Sequence, residues 1–144
     1  MKIAFICTGN SARSQIAEAI AKKIAKELDL NDLDLNDIEI YSAGTNPTGY
    51  VNPLAIRILE ENNINYNNLY SKSINEIPYN ECDIIITVCD SAATECPPIK
   101  GKITLHWSLI DPFSYEQFYF IYQKLYENIF NLLSKIKNNE KIEL

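Results

Sequence analysis

The chain has 144 residues, 47% of them hydrophobic and 22% charged, with a net charge of −6. That length suits one compact domain, residues 1–144, which buries roughly 68–70% of its unfolded surface around a single core. No apolar stretch approaches the ~18 residues a membrane span needs, and the acidic balance argues against nonspecific nucleic-acid binding, which depends on cationic surface.

The first fourteen residues, MKIAFICTGNSARS, organise everything after them. An apolar run from Ile3 to Ile6 reads as a buried strand, and it delivers Cys7 onto a loop of Thr8, Gly9, Asn10, Ser11 and Ala12 that closes on Arg13 and Ser14. A helical pattern starts there. A strand end, a run of inward-turned N–H groups and a helix N-terminus together make an oxyanion cradle. In that field a cysteine is expected to lose its proton more easily than the ordinary ~8.5 and to act as a nucleophile. Arg13 is suited to fork onto a tetrahedral oxyanion. The start carries one lysine, four apolar residues and no small-residue cleavage site, so it reads as a strand and not as a signal peptide, which places the protein in the cytoplasm.

From Ser14 to Leu28 the residues Ile16, Ile20, Ile24 and Leu28 recur every fourth position, with Glu18, Lys22, Lys23 and Lys26 elsewhere, as in an amphipathic helix packed on a sheet. Leu28–Asp32 and Leu33–Asp37 then repeat LDLND. A calcium loop fails there, because Asp37 replaces the turn glycine and Ala43 the distal glutamate. Ile38–Tyr41 is a short strand ended by Ser42, Ala43 and Gly44; a loop to Pro53, a short helix to about Asn62 and a connection or short helix over Ser71–Ile77 follow. Asp83 leads into Ile84, Ile85, Ile86, Thr87 and Val88, a β-branched run typical of a strand covered on both faces, ending at Cys89. The stretch Asp90–Lys102 is rich in small residues and prolines, with one helical turn expected. Ile103–Trp107 is the fourth strand, and the apolar stripe Phe118, Ile121, Tyr122, Leu125, Ile129, Leu132, Leu133 and Ile136 marks a long closing helix whose apolar side is core. A stripe used up by the core implies a monomer.

Four strands interleaved with helices indicate an α/β three-layer sandwich with a four-stranded parallel sheet, and its active site belongs at the carboxyl ends of the strands. Cys7, Cys89 and the loop carrying Asp111 all fall at such ends. Of the other cysteines, Cys82 reads as a small core residue. There is no CxxC pair and His106 is the sole histidine, so no metal site is expected.

CTGNSARS, with a strand before it and a helix after it, resembles the phosphate-binding loop of the low molecular weight protein tyrosine phosphatases and of the thioredoxin-coupled arsenate reductases built on that fold. The likeness extends through SAGT at Ser42–Thr45, VNPLAI at Val51–Ile56, the Cys89 strand and the segment from His106 to Pro112. It implies that Cys7 is the nucleophile and that Asp111, before Pro112, is the acid. The stretch VCDSAATECP at Val88–Pro97 is similar to that of the reductases, whose two further redox cysteines match Cys89 and Cys96. The resemblance therefore implies reduction of arsenate to arsenite by a Cys7, Cys89 and Cys96 relay, regenerated by thioredoxin, with phosphate or sulfate as mimics of the substrate and no cofactor. Phosphatase action on phosphotyrosine or small phosphomonoesters is the alternative, with Phe113 and Tyr115 either lining a phenyl pocket or packing the start of the last helix. An oxyanion-binding or redox-sensing module is a third. Ala12 stands where many such reductases carry another cysteine. Some members also bind a monovalent cation through positions matching Asn10, Glu18 and Ser42, but the remaining acidic position is Lys72, whose ammonium is suited to replace the ion.

Overall fold

A computed structural model of the chain describes residues 1–30, 38–90, 92 and 102–142. Within them lie strands β1 (Lys2–Cys7), β2 (Glu39–Gly44), β3 (Ile84–Thr87) and β4 (Ile103–His106), with helices α1 (Arg13–Glu27), α2 (Pro53–Glu61) and α3 (Tyr115–Lys137). Most of the LDLND repeat, Cys96 and most of the Asp90–Lys102 stretch lie outside the described residues.

The four strands form one sheet in the order β2-β1-β3-β4, and every neighbouring pair is parallel. This is the expected α/β architecture. The central strands β1 and β3 are buried along both faces, as their unbroken β-branched and apolar runs require. Helix α1 packs on β1, β2, α2 and α3. On α3 the buried residues are Phe118, Ile121, Leu125, Ile129, Leu132 and Leu133, which follows the stripe read from the sequence. Asn52 caps α2 by accepting from the Leu54 N–H at 2.9 Å, and Pro53 opens the helix where its missing N–H costs nothing. Ser71–Ile77 includes a 3-10 turn over Ile74–Glu76, closed by a capping box between Ser73 and Glu76. Among the described residues no helix is long and apolar enough to cross a membrane.

Some strand ends differ from the sequence reading. Strand β2 does not stop at Tyr41; it continues through Ser42, Ala43 and Gly44, which pair in register with Phe5, Ile6 and Cys7. Those small residues read locally as a turn, but the strand continues because β1 beside it offers a ladder up to the nucleophile loop. Strands β3 and β4 each end one residue early, at Thr87 and His106.

Gly44 is the point where sheet and loop meet. A Cβ there would lie 2.5 Å from the Thr8 carbonyl oxygen and 3.1 Å from the Asn10 side chain. Only glycine lets the strand approach that closely. Gly44→Ala is expected to cost about 2 kcal/mol through overpacking against backbone that cannot yield, read as a lowered urea midpoint, and to abolish protection by oxyanions against Cys7 alkylation.

Candidate active site

The loop between β1 and α1 gets its shape from the partners of its carbonyl groups. The carbonyls of Cys7, Thr8 and Gly9 accept from the N–H groups of Thr45 (3.2 Å), Asn46 (2.9 Å) and Thr48 (3.0 Å). The Asn10 carbonyl accepts from Gln15 Nε2 at 3.0 Å, that of Ser11 from the Asn52 N–H at 2.8 Å, and that of Ala12 from the Ile16 N–H at 2.9 Å. A trans peptide holds its N–H opposite its C=O. With each carbonyl from Cys7 to Ala12 drawn outward, the N–H groups of the same peptides turn to the concave side. That is the geometry of an anion nest at a helix N-terminus.

Asn10 makes the reversal possible. It is fully buried and sits at φ 48°, in the left-handed region. Its Nδ2 donates to Ser14 Oγ at 2.8 Å and Ser42 Oγ at 3.1 Å, while its Oδ1 accepts from Gln15 Nε2 at 2.8 Å and the Lys72 N–H at 2.9 Å. These four bonds use up the amide and offset the strain of a non-glycine residue at positive φ. Gln15 also donates to the Tyr70 carbonyl at 2.8 Å, tying the loop to the segment after α2.

Beneath Asn10 lies a buried charge pair. Glu18 Oε1 accepts from Ser42 Oγ at 2.6 Å and from Lys72 Nζ at 3.3 Å, and Lys72 Nζ also donates to the Tyr70 carbonyl at 3.0 Å. Lys22 holds the other oxygen of Glu18 at 2.8 Å. The residues matching the cation position are thus brought together, with the Lys72 ammonium among them. Periodicity alone puts Glu18 on the polar side of α1, whereas it is only 3% exposed; the first turns of this helix bury Ser14, Gln15 and Glu18 under the loop.

At the start of the loop Cys7 is buried, and Cys89, also buried, follows the neighbouring strand β3, whose Thr87 pairs in register with Ile6. Thr8 Oγ1 lies 3.4 Å from the Cys89 sulfur, which also accepts from the Ala92 N–H at 3.4 Å. Cys7 is not a lone thiol in the cradle: it titrates together with Cys89. Interaction with Cys89, and then burial, push the Cys7 thiol up, against the pull of Ser14 and the Asn10 backbone. The same interaction, helped by Thr8 and Ala92, pulls Cys89 down to about 5.

Arg13 spans the site to the acid loop. Its Nη1 donates to the Leu109 carbonyl at 2.9 Å and its Nη2 lies 3.7 Å from Asp111 Oδ1. Asp111 is well exposed, and Phe113 beside it is 82% exposed. Tyr115 is committed elsewhere: its hydroxyl donates to Glu61 at 2.9 Å and its ring lies under the Arg57 guanidinium, joining α3 to α2. Cys82 is fully buried, as its reading as core requires. Gln15, Thr45, Asn46, Thr48 and Asn52 had no role in the sequence reading. The one signal for Gln15 was a polar residue placed among the buried positions of α1.

A parallel α/β sheet that presents a cysteine inside an N–H cradle, with an arginine and an aspartate facing it, defines a cysteine-dependent oxyanion enzyme. A family model described as low molecular weight phosphotyrosine protein phosphatase matches residues 2–142, and the chain belongs to that family. An arsenate reductase of Bacillus cereus (strain G9842) is 37% identical over 111 residues, covering 76% of this chain and 75% of the relative. Among solved structures, the thioredoxin-dependent arsenate reductase of Corynebacterium glutamicum superposes with a TM-score of 0.77 at 27% identity, covering 96% of this chain and 63% of that one. A YwlE arginine phosphatase with a phosphorylated active-site serine superposes at 0.82 with 26% identity, covering 99% of this chain and 100% of that one.

Two outcomes test this geometry. Lys72→Met leaves the buried Glu18 with one cationic partner fewer and is expected to cost about 3 kcal/mol, measured by urea denaturation; an unchanged midpoint would mean the pair is not needed to hold the loop. In the thiol pair, alkylation of Cys89, followed by peptide mass spectrometry, should rise as pH passes about 5. Cys89→Ala removes the largest cause of the upward shift of Cys7, so the midpoint of Cys7 alkylation should move to lower pH.

Proposed function

We infer that this protein is a thioredoxin-coupled arsenate reductase, working as a monomer in the cytoplasm. The single observation that carries this reading is a second buried thiol, Cys89, set against the oxyanion loop with its sulfur 3.4 Å from Thr8 Oγ1, the residue after Cys7. Phosphomonoester hydrolysis needs one nucleophilic sulfur and water. A second thiol beside the nucleophile is what a two-electron reduction needs.

Arsenate is held by the N–H groups of Thr8 to Ser14 and by Arg13. Cys7, as the thiolate, attacks arsenic. Asp111, held 3.7 Å from Arg13, delivers a proton to the departing oxygen, which leaves as water. Cys89 then attacks the Cys7 sulfur. An S–S bond forms, the S–As bond breaks, and its electron pair stays on arsenic, which leaves as arsenite. Two sulfurs have lost two electrons and arsenic has gained them. Cys96 resolves the Cys7–Cys89 disulfide by attacking Cys89 and returning Cys7 as thiolate, and thioredoxin reduces the resulting Cys89–Cys96 disulfide.

Hydrolysis of a phosphomonoester is the second reading. It is favoured by the full-length superposition on the arginine phosphatase and would use the same Cys7, Arg13 and Asp111. The phenyl pocket required for a tyrosine substrate gains nothing from Tyr115, which is bound to Glu61.

The deciding assay follows arsenate-dependent NADPH oxidation with thioredoxin and thioredoxin reductase. Wild type should turn over repeatedly, while Cys89→Ser and Cys96→Ser should stop after at most one turnover. Normal turnover in both variants would rule the relay out. p-Nitrophenyl phosphate hydrolysis that survives both changes, with no arsenate-dependent oxidation, would instead establish the phosphatase.

A further inference from the structure

Thr87 ends β3 and His106 ends β4, and the two are register partners in adjacent parallel strands. Their side chains meet: Thr87 Oγ1 and His106 Nδ1 are 2.7 Å apart. The other ring nitrogen, Nε2, lies 2.8 Å from Asp90 Oδ1, and Ser108 Oγ donates to the same oxygen at 3.0 Å. Nε2–H donates to Asp90, because a carboxylate only accepts, and Nδ1 faces the Thr87 hydroxyl, which also lies 3.4 Å from the Leu105 carbonyl, so both ring nitrogens have a partner. The hydrogen bond from His106, and then that from Ser108, hold the Asp90 carboxyl below the ordinary carboxylate range.

The chain positions give this bridge its meaning. Thr87 is two residues before Cys89 and Asp90 is the residue after it. One imidazole therefore bridges side chains on both sides of Cys89. Below it, the Val88 N–H donates to the Ile6 carbonyl at 2.9 Å and the Trp107 N–H to the Thr87 carbonyl at 2.8 Å, so the approach to Cys89 is fixed to β1 and β4 as well. Without the ring, the segment past Val88 would be held at Cys89 by its contacts with Cys7, Thr8 and Ala92.

We propose that His106, bridging Thr87 to Asp90 with support from Ser108, is a positioning residue for the thiol pair: it fixes the Cys89 sulfur against Cys7 for the disulfide-forming step. The ring takes no proton or electron in that step. It limits the arc over which Cys89 can wander before it attacks the Cys7 sulfur, forming the S–S bond and leaving the S–As electron pair on arsenic. In its reaction step the inference rests on the arsenate-reductase reading, whereas the placement of Cys89 in the resting protein does not.

The test uses the full chain with Cys96→Ser, which halts the relay at the Cys7–Cys89 disulfide. Adding His106→Leu should slow single-turnover release of arsenite about tenfold, the scale of lost alignment, with half-saturating arsenate unchanged within about twofold. His106→Gln, which can accept from Thr87 and donate to Asp90, should restore most of the rate. Asp90→Ala removes an exposed side chain without disturbing the core, and should slow release as His106→Leu does. A second readout needs no arsenate. The pH midpoint of Cys89 alkylation, which Cys7, Thr8 and Ala92 hold below the ordinary thiol range in the intact site, should rise in His106→Leu and Asp90→Ala and return in His106→Gln. Wild-type release rates together with an unmoved alkylation midpoint in both variants would overturn the positioning role. If the parent protein releases no arsenite, the arsenate reading fails, and the alkylation midpoints alone decide whether His106 positions Cys89.

Discussion

The orientation of six peptide planes underlies the rest of this structure. An oxyanion loop must turn successive N–H groups to one side, and a peptide cannot do so without sending its carbonyls to the other, where burial would leave them unpaired. Here each carbonyl from Cys7 to Ala12 finds a donor, most of them N–H groups of the 45–52 loop. That loop is held in turn by the extension of β2 along β1 up to Gly44, opposite Cys7. The sheet therefore does more than carry Cys7: its register places the donors that force the loop open towards the substrate.

The same need explains the polar floor under the loop. Asn10 must adopt a left-handed conformation in a dry setting, so its amide has to be fully bonded, and its partners Ser14, Gln15, Ser42 and Lys72 come from three separate parts of the chain. Glu18 and Lys72 extend the network. Buried ion pairs seldom add net stability over an apolar replacement, so their value here is geometrical. Lys72 reaches Glu18 while its own N–H fixes Asn10, and its carbonyl accepts from the Gly44 N–H at 2.8 Å. One residue thereby ties the loop, the helix and the end of β2 to a common point, and its ammonium sets a positive charge beside the buried Glu18.

Much of this was legible in the sequence because it is local. The run Ile3–Ile6, the change to a helical period after Arg13 and the β-branched strand ahead of Cys89 show the parallel sheet and put the reactive residues at its carboxyl edge. What was not legible depends on register. The turn-like composition of Ser42, Ala43 and Gly44 hid a continuing strand, because pairing with β1 decides the matter. Glu18 fell on the polar side of α1 by periodicity, since a helical period cannot tell that a loop folds over the first turns. Thr45, Asn46 and Thr48 act through backbone N–H groups, which leave no mark on residue type.

Cys7 and Cys89 join the two halves of the proposed chemistry. Cys7 ends β1 and Cys89 follows β3, its neighbour in the sheet. Neighbouring thiols titrate together, because an anion on one disfavours an anion on the other, and the Cys89 sulfur has Thr8 Oγ1 and the Ala92 N–H within hydrogen-bond reach. In the relay proposed above, the oxyanion is captured at Cys7 and the second electron pair comes from Cys89, so both steps would draw on one pair of strand ends. This is why the ends of β3 and β4 matter as much as the end of β1: they set where Cys89 stands.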